Sequence, residues 1–222
     1  MKLSEQDRIR VGEAVTRAEA ASDGEIVTVV SEFSDPYHDA VLHWALLVAF
    51  LALAVVASAP GFFTGLLDRI VGGWLVWSPR ELMTVLLAMV LVKFLVARWI
   101  FGLKAIRFAL VPASTKARRV QRRALLLFRL VTENRTRAKT GVLLYVSIAE
   151  RRAEIVADAT INSKVAPEIW GEAMAVLLDA VRDGRPGDGM VASVEKIGQV
   201  LSEHFPRSPD DSNELPDRLI LL

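Results

Sequence analysis

The sequence predicts a small α/β domain, a mixed sheet flanked by helices, interrupted by a two-helix transmembrane insertion. Three observations predict it. Two apolar runs, residues 41–60 and 82–101, each have the roughly 20 residues a helix needs to cross a bilayer core of about 30 Å. The segments on either side show helix-period and strand-like patterns. Residues 82–132 hold ten Lys and Arg but no Asp or Glu, the charge bias expected beside a span.

Ser4-Glu5-Gln6-Asp7 reads as a helix start, a hydroxyl cap with acids in the first turn. Val11, Ala14, Val15 and Ala18 follow at helical spacing, and Ser22-Asp23-Gly24 ends that helix. Residues 25–32 (EIVTVVSE) are rich in β-branched side chains and read as a strand, which Ser34-Asp35-Pro36 breaks. The first apolar run has no formal charge and almost no polar face. The second contains Lys93 and Arg98, with Trp99 placed as an interfacial aromatic; its alternative is a helix lying in the interface with both cations solvated. Between the runs, residues 61–78 are short, aromatic and glycine-rich. They suit a turn with an interfacial amphipathic helix, Trp74 and Trp77 lying at the headgroup level.

After Pro112, Ser114 or Thr115 caps a helix running to about residue 137, with Val120, Ala124, Leu127, Phe128 and Val131 as its apolar stripe. Residues 141–147 (GVLLYVS) are nearly continuous in apolar side chains, the mark of a strand buried on both faces. Residues 153–158 form a second strand, and the short link 148–152 makes the two a hairpin. Pro167 opens a helix to residue 183, stopped by Gly184; Asp188 starts a last helix with Val191, Val194, Gly198 and Leu201 on one face. A helix between strands 25–32 and 141–147 implies a parallel crossover, with the insertion inside it. The organisation is therefore 1–39 and 106–206 as two parts of one domain, 40–105 as a transmembrane hairpin with an interfacial loop, and 207–222 as a C-terminal tail.

Orientation follows from where the cations fall. Lys104, Arg107, Lys116, Arg118, Arg119, Arg122 and Arg123 crowd the flank after the second run, which places that flank in the cytoplasm of a bacterial inner membrane. Two spans bring the N-terminus to the same side. The first residues are polar, with no short apolar core of a signal peptide, and the absence of cysteine agrees with a reducing compartment. Formal net charge is only +1, so the basic character is local. The same seven residues are expected to face anionic lipid headgroups; aromatics suited to base stacking are absent from that helix, which argues against nucleic acid.

Phosphate-loop, nucleophile-elbow, dinucleotide and zinc motifs are all absent. The one local cluster of carboxylates and imidazole is Asp35, His38 and Asp39, just after a strand's C-terminal end, where α/β sites tend to lie. Asp158, at another strand end, would join them. These four are the catalytic candidates, and Asp35, Asp39 and Asp158 the metal candidates; the bland alternatives are a polar turn at 34–39 and a helix cap at Asp158. Lys93 is a charge inside a span, which is costly and marks either a partner contact or a structural accommodation.

The order of elements and three phrases resemble the TPM domain family: LSEQDRIRVGEAVTRAEAASDGEIVTVV, TGVLLYVSIAERRAEIVADATI, and two closing helices ending at Val200-Leu201. The likeness is to the bacterial branch in which two spans interrupt the domain. It implies an α/β sandwich of broadly Rossmann-like build. Members have been linked to acid phosphatase activity, to calcium binding and to assembly or repair of membrane complexes. Typical members carry an acid or amide just before the glycine of the GVLLL strand, where this chain has Lys139-Thr140-Gly141, and a glycine-rich turn where it has Asp158-Ala159-Thr160-Ile161. A nearby ammonium opposes a bound cation. The expectation is therefore a non-catalytic interaction or accessory module of a membrane complex, contacting lipid and a membrane-protein partner. The alternatives are a divalent-metal phosphatase and a calcium- or ligand-sensing domain, with Ca2+ or Mg2+ as the cation.

Overall fold

The computed structural model describes residues 3–73, 76–132, 140–209 and 214–222. In chain order its elements are α1 (Glu5–Glu19), β1 (Glu25–Ser31), α2 (His38–Ser58), α3 (Pro60–Val71), α4 (Pro79–Gly102), α5 (Lys104–Leu110), α6 (Ala113–Val131), β2 (Gly141–Ser147), β3 (Arg152–Ala157), α7 (Ala159–Lys164), a 3-10 turn (Pro167–Ile169), α8 (Trp170–Arg182), α9 (Pro186–His204) and β4 (Ile220–Leu221). They fall into two compact units, Met1–Asp35 with Ala113–Leu222, and Pro36–Pro112.

In the first unit the described strands form one mixed sheet in the order β3-β2-β1-β4. β1 and β2 pair in parallel along their whole length, Glu25 with Gly141 through Ser31 with Ser147. β3 returns antiparallel to β2, and β4 lies parallel to β1. Every residue of β1 and of β2 is buried, as the unbroken apolar run in β2 predicts. One face is covered by α1, α8 and α9: Val11, Val15, Leu177, Val194, Ile197 and Leu201 pack on Ile26, Val142 and Leu144. The other face is covered by α6, whose Val120, Ala124, Leu127 and Phe128 meet Val27, Val29, Leu143 and Tyr145. The result is a three-layer α/β/α unit.

Local chemistry sets the ends. Ser4 and Asp7 form the reciprocal capping box that the sequence predicts for α1. α9 approaches its neighbours closely because it carries glycine at the contacts: a Cβ on Gly198 would stand 2.6 Å from the Ala18 Cβ, and one on Gly189 2.7 Å from the Ala180 Cβ. The structure adds pieces that the sequence pattern does not show. α5 and α7 are short helices, and the apolar end of the tail is β4, an edge strand. α6 starts at Ala113, directly after Pro112 and ahead of the expected cap. Its expected end near residue 137, together with Lys139 and Trp74, lies outside the described residues.

In the second unit α2 and α4 are long and apolar enough to cross a membrane, about 31 and 36 Å at 1.5 Å per residue. Only 17% and 6% of their most apolar windows are buried within the chain, unlike the core helix of a soluble domain. α2 and α4 pack on each other, with Val41, Ala45 and Ala49 buried at four-residue spacing on α2 and Ala97 buried on α4. Small side chains at that spacing let helix backbones approach. Ser78 and Glu81 cap α4 reciprocally, with Pro79 at its first position. The amphipathic helix expected between the runs is α3, closed by Gly72 in the left-handed conformation at φ 89°.

Leu144 is fully buried at the centre of β2. Leu144→Asp buries an unpaired charge and is expected to cost several kcal/mol, comparable to the whole stability of a small domain. Gly198→Ala is expected to cost about 1–3 kcal/mol by forcing α9 off α1. Thermal unfolding of detergent-purified protein measures both; a wild-type midpoint for either would contradict the packing described.

Candidate functional site

The two ends of the sheet hold different polar clusters. Where β1 and β2 begin, Asp158 is buried at the end of β3. Its backbone N–H donates to the Gly141 carbonyl and its Oδ2 accepts from the Gly141 N–H, both at 3.0 Å. It occupies the N-cap position of α7 but makes no side-chain cap bond there. A Cβ on Gly141 would stand 3.1 Å from that carboxylate oxygen and 2.0 Å from the Thr132 methyl, so glycine is required for this approach. Thr140 donates its hydroxyl to the Asp23 carbonyl at 2.7 Å. Nearby, Glu19 accepts from the Ile26 N–H at 2.7 Å, and Glu25 accepts from the N–H groups of Glu214 and Leu215, each at 3.1 Å. These buried carboxylates tie the strand starts to α1, to the hairpin and to the segment leading into β4. Such charge-assisted bonds are among the stronger ones in proteins.

Where β1 and β2 end, Glu150 in the hairpin turn is buried and accepts from the Ser34 N–H at 2.9 Å and from the Ser147 hydroxyl. Ser34 Oγ also bonds the hydroxyl of the fully buried Tyr145 at 2.9 Å. Arg119 of α6 pairs with Asp35 at 2.7 Å. The chain leaving β1 is thus held by β2, by the hairpin turn and by α6. Sequence reasoning misses this cluster. Its signal is a tyrosine inside the apolar phrase GVLLYVS and a glutamate in the turn that follows.

Asp35 and Asp158 are therefore not brought together. Asp158 stands at the start of β1 and β2, while Asp35 follows the end of β1, a strand length of about 20 Å away at about 3.3 Å per residue. β3 runs antiparallel to β2, so its last residue returns to the other end of the sheet. His38 and Asp39 belong to the second unit, at the first turn of α2, where the Asp39 carbonyl meets His43 Nδ1 at 2.6 Å. Among the described residues no group of three or more His, Asp or Glu side chains is placed to hold one metal ion. The Asp35–Asp158 donor set does not fit a shared cation.

Of the basic residues, Lys104 and Arg107 lie on α5 in the second unit. Lys116, Arg118, Arg119, Arg122 and Arg123 lie on α6, where Arg119 is engaged by Asp35. The outward face of α6 is not purely basic. Leu125, Leu126 and Leu130 are 42%, 47% and 61% exposed and line a groove of about 650 Å³ with Arg118, Arg122 and Arg129. A second groove, of about 320 Å³, runs between α6 and β3 and includes Glu154. Burial pushes the Glu154 carboxyl above its ordinary value, opposed by the charge of Arg152. Asp188 shifts the other way, lowered first by its bond to Arg10.

A parallel β1–β2 pair split by an insertion, a β2–β3 hairpin and two closing helices define an α/β domain of a recognisable class. Residues 104–200 match the family model described as TPM domain, so the resemblance read from the sequence is to this family. The matched stretch runs from α5 into α9; α1 and β1 precede it. The fold is shared with an NMR structure of the BA42 protein from the psychrophilic bacterium Bizionia argentinensis sp. nov., at TM-score 0.58 and 17% identity, over 100% of this chain and 97% of that one. Comparison with curated proteins gives no match.

Burial favours the neutral form of Glu154 in the folded protein. Its contribution to stability is fully present below the ordinary 4.5 and is lost as pH rises through the folded-state value. Glu154→Gln is therefore expected to unfold at a progressively higher temperature than wild type as pH is raised above 4.5. Thermal melts across pH check this; parallel curves for the two proteins would contradict the buried placement.

Proposed function

We propose that this chain is a non-catalytic interaction module, anchored by α2 and α4 in a bacterial inner membrane with its α/β unit on the cytoplasmic side, serving a membrane complex. The observation that carries the reading is the outward face of α6. Leu125, Leu126 and Leu130 are exposed between arginines and lie outside the domain's core cluster. A surface combining apolar and cationic side chains suits contact with anionic headgroups and with a membrane-protein partner. α6 begins at Ala113, directly after the last residue of the second unit. The acid-free basic stretch around it supports the cytoplasmic orientation.

The non-catalytic part of the reading rests on how the carboxylates are used. Asp158 and Glu150 accept backbone N–H bonds and Asp35 pairs with Arg119. An isolated nucleophile–base pair of the kind hydrolysis needs is not among these contacts.

The chain has no cysteine, so a single cysteine placed at Leu126 reports on both orientation and lipid contact. A membrane-impermeant maleimide is expected to label it in inside-out vesicles and not in right-side-out ones. Replacing Arg118, Arg122 and Arg123 by Gln removes about 1 kcal/mol of surface attraction each and is expected to speed that labelling in anionic vesicles. Arg119 is left intact because Asp35 holds it. Labelling from the outside would contradict the orientation, and equal rates in the two proteins would contradict lipid contact.

A further inference from the structure

Within the second unit, α2, α3 and α4 line a half-open apolar groove of about 370 Å³. Leu51 and Val55 come from α2, Phe62 and Phe63 from α3, Met89 and Lys93 from α4. Lys93 is the one charged residue in the lining. We propose that this pocket binds an anionic amphiphile, an acyl tail lying against the aromatic and aliphatic wall and its anionic group paired with the Lys93 ammonium. The proposal rests on α2 and α4 spanning a membrane.

Three observations converge on that occupant. First, no carboxylate among the described residues pairs with Lys93, and an ammonium at this depth calls for an anion. Lys93 is nine residues before Gly102, about 13 Å along the axis. Escape toward that nearer end runs against the helix, because helical side chains lean toward the N-terminus. Lys93 leans instead toward the turn of Met89, which lines the same pocket. Second, the volume lies in the range of small-ligand sites, about 300–1,000 Å³. Third, the wall is apolar apart from Lys93, so it matches a hydrocarbon chain with a single charged end. A free fatty carboxylate and an anionic phospholipid share this chemistry.

The test uses full-length protein in uncharged detergent with photoactivatable probes: palmitate, phosphatidylglycerol, and an uncharged monoacylglycerol, each with the reactive group in the acyl chain. The anionic probes are expected to cross-link to residues 51–66 more than the uncharged one by about tenfold, equivalent to about 1.4 kcal/mol. Lys93→Gln should abolish that preference and Lys93→Arg should keep it. Preference for palmitate identifies the free acid as the source, and preference for phosphatidylglycerol the phospholipid. Equal labelling by charged and uncharged probes, or a preference that survives Lys93→Gln, overturns the proposal. So does absent labelling, the outcome expected if Lys93 instead awaits a carboxylate on a partner's span. Membranes washed in alkaline carbonate separate the two levels. Release of the chain overturns the spanning reading, whereas retention without Lys93-dependent labelling overturns the pocket alone.

Discussion

The parallel pairing of β1 with β2 is the constraint on which the rest depends. Seven registered pairs join segments that the insertion separates in sequence. Closing so long a loop carries an entropic cost that grows slowly with length, and non-local parallel pairing is slow to form. An insertion that is itself a compact unit holds its ends closer than a flexible loop of the same length, which reduces that cost. The same pairing makes an even number of crossings necessary, because both strands must reach one side of any bilayer the insertion enters. Two apolar helices satisfy that requirement, and one would not.

Buried carboxylates hold the sheet ends where this closure puts them. Asp158 binds the first amide of β2, Glu19 the amide of Ile26, and Glu25 the amides that lead toward β4. At the opposite end Glu150 binds the amide of Ser34, one residue before the Asp35–Arg119 pair. An ionised carboxylate inside a protein is expensive unless it is fully hydrogen-bonded. Their use on backbone amides explains why acids sit in otherwise apolar phrases.

Much of this fold is legible in the sequence. Periodicity gives the stripes of α1, α6, α8 and α9, the continuous apolar run gives a fully buried β2, and the hairpin link gives its antiparallel partner. Three things escape pattern reading. β4 is two residues long, too short to show alternation. α5 and α7 span seven and six residues, less than two turns each. The exposed leucines of α6 are hidden by the clean stripe on its other side. Asp158 is a different kind of miss, because the reading of β1 and β2 as parallel and β2 and β3 as a hairpin already puts the end of β3 at the start of β1. The direction of the strands, followed through, separates Asp158 from Asp35 without a structure.

The registered β1–β2 pair is tested most directly by a disulfide. Ser31 and Ser147 are paired across the strands and both are buried, and the chain has no cysteine of its own. Partners in adjacent strands lie within the span of about 4.4–6.8 Å between Cα atoms that a disulfide tolerates. The protein with Ser31→Cys and Ser147→Cys should oxidise in membranes and keep its two halves joined after proteolytic cleavage within the insertion. The shifted pair, Ser31→Cys with Leu144→Cys, should not. Separation of the halves in the registered pair, or equal joining in the shifted one, would contradict a sheet closed across the insertion.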